Sequence, residues 1–181
     1  MKGIVFTEFF DLVESAFGLE MKDRIITDAK LANDGAYTAV GNYDSAELVT
    51  LVGHLSRETG QTGRDLQVAF GQHIFKRFVR DYGYFFANAR SSFEFLAHIQ
   101  DYIHVEVRKL YPDAELPTFR YPSNTADSLV MEYRSPRPLA AFAEGLIRAT
   151  IAHYGENITL KVEDLSSGAG TAARFHLART A

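Results

Sequence analysis

Ser128-Leu129-Val130-Met131-Glu132-Tyr133-Arg134-Ser135 is the stretch that decides the fold. Leu129, Met131 and Tyr133 stand two apart, the period of a strand with one face buried. The period returns in Ile158-Thr159-Leu160-Lys161-Val162 and in Ala173-Arg174-Phe175-His176-Leu177, joined by a Ser166-Ser167-Gly168-Ala169-Gly170 turn. One helix, over about 139–154, falls between the first strand and the second.

Upstream of Pro117 the period is helical. Ile4, Val5, Phe9, Leu12, Val13, Ala16 and Phe17 recur mostly three and four apart, as far as Gly18, a natural stop. A short helix over about 21–29 follows, then a loop over 31–44 with Asn-Asp-Gly and Gly-Asn-Tyr-Asp runs. Ser45 can cap a helix bearing Leu48, Val49, Leu51, Val52 and Leu55. Residues 62–64 open another, with Leu66, Phe70, Ile74, Phe75, Phe78 and Val79 on one face, and 82–88 read as a connection. Ser91 and Glu94 fit a capping box opening one long helix to about Leu110, which Pro112 and Pro117 end. The expected architecture is α+β: N-terminal helices packed with a C-terminal antiparallel sheet carrying one inserted helix. The whole chain, 1–181, reads as one domain.

Composition narrows the function. A chain of 181 residues can bury roughly 70% of its unfolded surface without staples. Cysteine is absent, which excludes disulfides, thiolate zinc sites, iron–sulfur clusters and a cysteine nucleophile. A net charge of −4 leaves no basic field for nucleic acid or for anionic lipid. Glu8, Asp11 and Glu14 interrupt the apolar N-terminus, so neither a signal peptide nor a membrane span is expected, and a cytoplasmic location is. With 14 Phe, 9 Tyr and no Trp, the interior is either a very apolar core or an apolar pocket.

Several motifs fail. Gly168-Ala169-Gly170-Thr171-Ala172-Ala173 matches a dinucleotide-binding pattern loosely. A strand follows it, so no helix N-terminus is present to hold a pyrophosphate, and a hairpin turn fits better. The chain has no P-loop, Gly-x-Ser-x-Gly elbow or His-Glu-x-x-His motif, and its carboxylates are scattered.

Two histidines share the predicted long helix. At about 100° per residue, Leu96, Ile99, Ile103, Val107 and Leu110 form its apolar stripe. His98 projects nearly opposite, and His104 sits at the stripe's edge, on the side of Phe93 and Ala97. They face different directions and cannot grip one metal together. Alone, His104 reads as a boundary histidine with a satisfied hydrogen bond. Tyr133, Ser135 and Arg137, two apart on a strand, can turn two hydroxyls and a guanidinium to one face, a set that matches two carboxylates. A solvated strand edge is the plainer alternative.

His104 with Val107 and Pro117, followed by Tyr-x-Ser-x-Arg at 133–137, resembles the heme nitric-oxide/oxygen-binding (H-NOX) domain, the sensor module of soluble guanylate cyclase and its bacterial relatives. The likeness runs from Met1-Lys2-Gly3-Ile4-Val5 through Ala69-Phe70-Gly71 to Glu144-Gly145-Leu146. It implies heme b (iron protoporphyrin IX) between the helical part and the sheet. His104 would be the proximal iron ligand, through a neutral imidazole nitrogen. Tyr133, Ser135 and Arg137 would hold the heme propionates, and Pro117 would press on the macrocycle. Val5, Phe9, Ile74, Phe78, Phe142 and Leu146 would form the distal wall, although each is equally a good core residue.

The implied function is sensing without catalysis. Nitric oxide and carbon monoxide would bind, dioxygen would be excluded, and the output would go to a separate histidine kinase or cyclic-di-GMP enzyme. Family members that hold dioxygen carry a tyrosine five residues beyond that arginine. Here Phe142 stands there, and the other distal candidates offer no donor either. His73, next to Ile74, should point off the pocket face. A competing reading is a small-molecule hydrolase or isomerase using His104 as general base, with Asp101 in reach as its acidic partner. A third is an interaction module without heme.

Overall fold

The computed structural model describes residues 1–180, and among them helices come first and a four-stranded antiparallel sheet last. α1 (Gly3–Phe17) turns into α2 (Leu19–Ala29) at Gly18, whose φ of 87° is open to a residue without a Cβ. α3 (Ser45–Thr59) is capped by Asp44, one residue earlier than the sequence suggests, through the Ala46 N–H at 2.9 Å. α4 (Gly63–Asp81) starts as read, with the Thr62 hydroxyl accepting from the Asp65 N–H. Phe6, Phe9 and Val13, Ile25, Leu48 and Leu51, and Leu66, Phe70 and Ile74 bring one face of each of these helices into a first apolar cluster.

The sheet runs β1-β2-β4-β3, from β1 (Thr118–Asn124), β2 (Ser128–Arg134), β3 (Ile158–Asp164) and β4 (Ala172–Arg179). Leu129, Met131 and Tyr133 of β2 and Phe175 and Leu177 of β4 face inward, as the period of two requires. The sheet's inner face and α8 (Ala140–His153), the inserted helix, enclose a second apolar cluster. Between β3 and β4 the Asp164 carboxylate accepts the N–H groups of Ser166 and Gly168. Gly168 and Gly170 take φ of 87° and 69°, so this glycine-rich run is a hairpin turn.

Three predicted features are corrected. β1 was not anticipated: it is an edge strand that tolerates Pro122, and its register slips between Arg120 and Ser123. Residues 82–88 hold a short helix, α5 (Gly83–Ala87), anchored by the buried rings of Phe85 and Phe86. The helix over 91–110 is broken into α6 (Ser92–Ala97), a π turn (Ile99–Ile103) and α7 (His104–Leu110).

α4 and α8 join the two clusters by crossing backbone to backbone. A Cβ on Gly145 would lie 2.2 Å from the Val68 carbonyl oxygen and 2.9 Å from the Gly71 Cα. Beside that crossing, Phe78 of α4 and Leu146 of α8 pack on both clusters. Among the described residues no helix is long and apolar enough to cross a membrane.

Candidate functional site

The π turn changes what α7 presents. It adds one residue to a turn and so rotates everything after it relative to a straight helix. His104 therefore sits inside, 8% exposed, whereas Leu110, assigned to the apolar stripe, is 56% exposed. The imidazole lies against Phe119, with ring centroids 5.8 Å apart, and Phe119 meets Tyr133 edge-on. The expected boundary histidine with a satisfied hydrogen bond is not what forms. Nδ1 is buried without a partner.

Burial first, and the nearby Arg108 guanidinium second, push the His104 pKa down to about 4. No carboxylate contributes, and Asp101 stands exposed on the π turn. His104 and Asp101 thus show no sign of the pairing that a general base would need. An imidazole neutral at ordinary pH, with an unmatched nitrogen in an apolar setting, is chemically able to take a metal. Leaving such a group without a partner costs about 1–3 kcal/mol.

The shift carries a prediction. Above about pH 6.5 the ring is neutral whether the chain is folded or not. Between there and about 4 the unfolded ring takes a proton that the folded one refuses, so stability falls with falling pH. The loss approaches about 3 kcal/mol and levels off below the folded pKa. Urea denaturation of the ligand-free protein at pH 7 and near 4.5 should show His104→Leu losing less stability than the parent chain. Equal losses would contradict the assignment.

Tyr133, Ser135 and Arg137 do converge, by a different route from the one predicted. β2 ends at Arg134, so strand alternation places only Tyr133. Ser135 and Arg137 lie on the bend beyond, where Ser135 Oγ accepts the Arg137 N–H at 3.0 Å. Burial raises the Tyr133 pKa, while Ser135 and Arg137 draw it partly back. Arg137, its side chain 14% exposed, donates to the Glu115 carbonyl at 2.6 Å and pairs with the Glu115 carboxylate. The guanidinium is therefore already engaged as a carboxylate receptor. Glu115 itself gave no sequence signal, being one of two acids, with Asp113, in an irregular segment. Pro117 follows two residues later, half-buried, at the mouth of β1.

All six distal candidates gather at the first cluster. Phe9 and Ile74 are fully buried within it, and Val5, Phe78, Phe142 and Leu146 pack against it half-buried. Phe142 lies beside Phe70, with centroids 5.1 Å apart. Phe78 and Leu146 reach the second cluster, which holds Phe119 and Tyr133. His73 turns outward as expected, its Nε2 3.0 Å from the Asp11 carboxylate. His98 is exposed, with Nδ1 2.6 Å from the Glu94 carbonyl.

These residues fit a heme. A buried neutral imidazole has an unmatched nitrogen, an arginine receives carboxylate, and half-buried apolar side chains lie between two clusters. Sequence reasoning missed Phe119 and Tyr121, although two aromatic residues two apart were the available sign of β1.

A family model described as Haem-NO-binding matches residues 2–162. The Fe(II) unliganded H-NOX protein from K. algicida is 41% identical, covering 100% of this chain and 97% of that one, with a TM-score of 0.95. The H-NOX from Shewanella woodyi, solved bound to IWP-051 in the Fe(II)CO state, is 34% identical over 99% of this chain and 95% of its own, with a TM-score of 0.83. An H-NOX protein from S. oneidensis in the Fe(II)NO state is 23% identical over 100% of both chains, with a TM-score of 0.90, a likeness of fold. Among curated proteins none matches the chain.

Proposed function

The chain belongs to the Haem-NO-binding (H-NOX) family of heme-binding gas-sensor domains, and from that premise we propose that it is a heme b sensor that reads nitric oxide. The observation that carries this reading is His104, buried and neutral with Nδ1 unpartnered. When bound, heme would supply an iron able to hold a diatomic gas, its behaviour set by the protein ligand and by the polarity of the surrounding pocket.

The residues have these roles. His104 offers a neutral nitrogen, and Phe119 fixes its ring. Arg137 gives up Glu115 for a propionate, with the Tyr133 and Ser135 hydroxyls as further donors. Pro117, half-buried just before β1, would pack against the macrocycle. Val5, Phe9, Ile74, Phe78, Phe142 and Leu146 supply a distal wall with no hydrogen-bond donor. Such a wall would offer dioxygen no hydrogen bond to hold it, whereas nitric oxide and carbon monoxide would need little help of that kind. His104, the first residue of α7, would couple the heme to that helix, an element whose position the gas could bias.

The single sensor domain, residues 1–181, performs no catalysis. It acts in the cytoplasm and passes its state to a separate histidine kinase or cyclic-di-GMP enzyme. Absorption spectra of the ferrous, heme-supplemented protein test the reading. Nitric oxide and carbon monoxide should each shift the Soret band, and air should not produce a stable oxygenated spectrum. A stable one would overturn the selectivity. A protein still colourless after heme supplementation would overturn the sensor.

A further inference from the structure

The break between α6 and α7 has a cause in β1. In an uninterrupted α-helix the Leu96 carbonyl accepts from the Gln100 N–H. Here the Tyr121 hydroxyl donates to that carbonyl at 2.8 Å, and the Gln100 N–H lies beside the same hydroxyl. Beyond it the His98 carbonyl accepts the Tyr102 N–H at 3.0 Å and, with five-residue spacing, the Ile103 N–H at 3.1 Å, and the His104 N–H reaches the Ile99 carbonyl. A side chain inserted into the helical ladder is a recognised origin of such a break. Gln100, on the π turn itself, fastens it from the other side. Its Oε1 accepts the Phe119 N–H at 2.9 Å, and Phe119 is the ring against which His104 rests. Two bonds thus tie one turn of helix to one edge strand.

We propose that Tyr121 and Gln100 are positioning residues for His104, holding the break that turns its imidazole into the interior and sets how it meets the iron. A π turn is a poor helix by itself and persists where its surroundings hold it. Closing it to α would rotate α7 by about 100° and carry His104 off its present line. This inference rests on the heme reading above and adds to it the residues that set the ligand's register.

Tyr121→Phe tests it, since only the hydroxyl is removed. Tyr154→Phe is the control: that hydroxyl donates to the Phe86 carbonyl at 2.9 Å and not to a carbonyl of the break. Hydrogen exchange of residues 99–104 is read in the heme-free protein, and the iron–histidine vibration in the ferrous, heme-loaded protein. Tyr121→Phe should alter the exchange pattern, shift the vibration and speed nitric-oxide-driven loss of the iron–histidine bond about five-fold, the equivalent of one net hydrogen bond. Tyr154→Phe should leave exchange and vibration at parent values. Gln100→Leu should behave like Tyr121→Phe, and Gln100→Glu, which keeps an acceptor, should restore the parent vibration. Parent-like exchange and vibration in both Tyr121→Phe and Gln100→Leu would overturn the proposal. Should the parent chain take up no heme, the sensor reading falls, and the exchange measurement alone decides whether these residues hold the break.

Discussion

His104→Gly leaves the chain unable to hold heme tightly, while His98→Ala keeps both the parent spectrum and parent retention. The two histidines are six residues apart, yet their surroundings differ completely. His98 is exposed and already paired with the Glu94 carbonyl, whereas His104 is buried with Nδ1 unmatched. Removing an outer partner of a metal site costs 10–100-fold in affinity, and removing the sole protein ligand should exceed that. The fold should survive, because glycine near a helix terminus costs at most about 1 kcal/mol. Heme transfer to apomyoglobin measures the loss, and added imidazole should restore a parent-like ferrous spectrum. An unchanged five-coordinate ferrous spectrum in His104→Gly would remove the ligand assignment.

Gly145→Ala is the second large effect. Its Cβ would meet the Val68 carbonyl oxygen at 2.2 Å and the Gly71 Cα at 2.9 Å, both backbone atoms that cannot swing aside. α4 and α8 must separate, which loosens Phe78 and Leu146 at the meeting of the clusters. Overpacking of this kind costs about 3 kcal/mol. Gly83→Ala makes the contrast: nothing lies within 4 Å of that Cβ, and alanine there should be neutral or stabilise by up to about 1 kcal/mol. Urea midpoints of the two variants check the pair, and a Gly145→Ala chain as stable as its parent would show that the crossing gives way cheaply.

What could be read from the residues follows from how local each cause is. α1, α3, α4 and α8 carry their own apolar period, α3 and α4 their own N-caps as well, and β2 and β4 their own alternation, so each was visible in its own stretch. β1 was hidden because Pro122, and the polar Ser123 at an inward position, interrupt an alternation whose apolar face only Phe119 and Tyr121 mark. The break in the 91–110 helix is set from outside it, by the Tyr121 hydroxyl 25 residues from Leu96, so no helical wheel could show it. That is why His104 was placed at a stripe's edge and found inside. Tyr133 was legible from alternation. Ser135 and Arg137 reach the same place through a bend whose geometry their spacing does not encode, and Glu115 becomes relevant only once the chain is folded.

The coupling of gas to fold is tested most directly by adding nitric oxide to the ferrous, heme-loaded protein while following the iron–imidazole vibration by resonance Raman. The vibration should vanish in proportion to the nitric oxide bound, as His104 leaves the iron. A vibration that persists after the gas has bound would contradict the role given to His104.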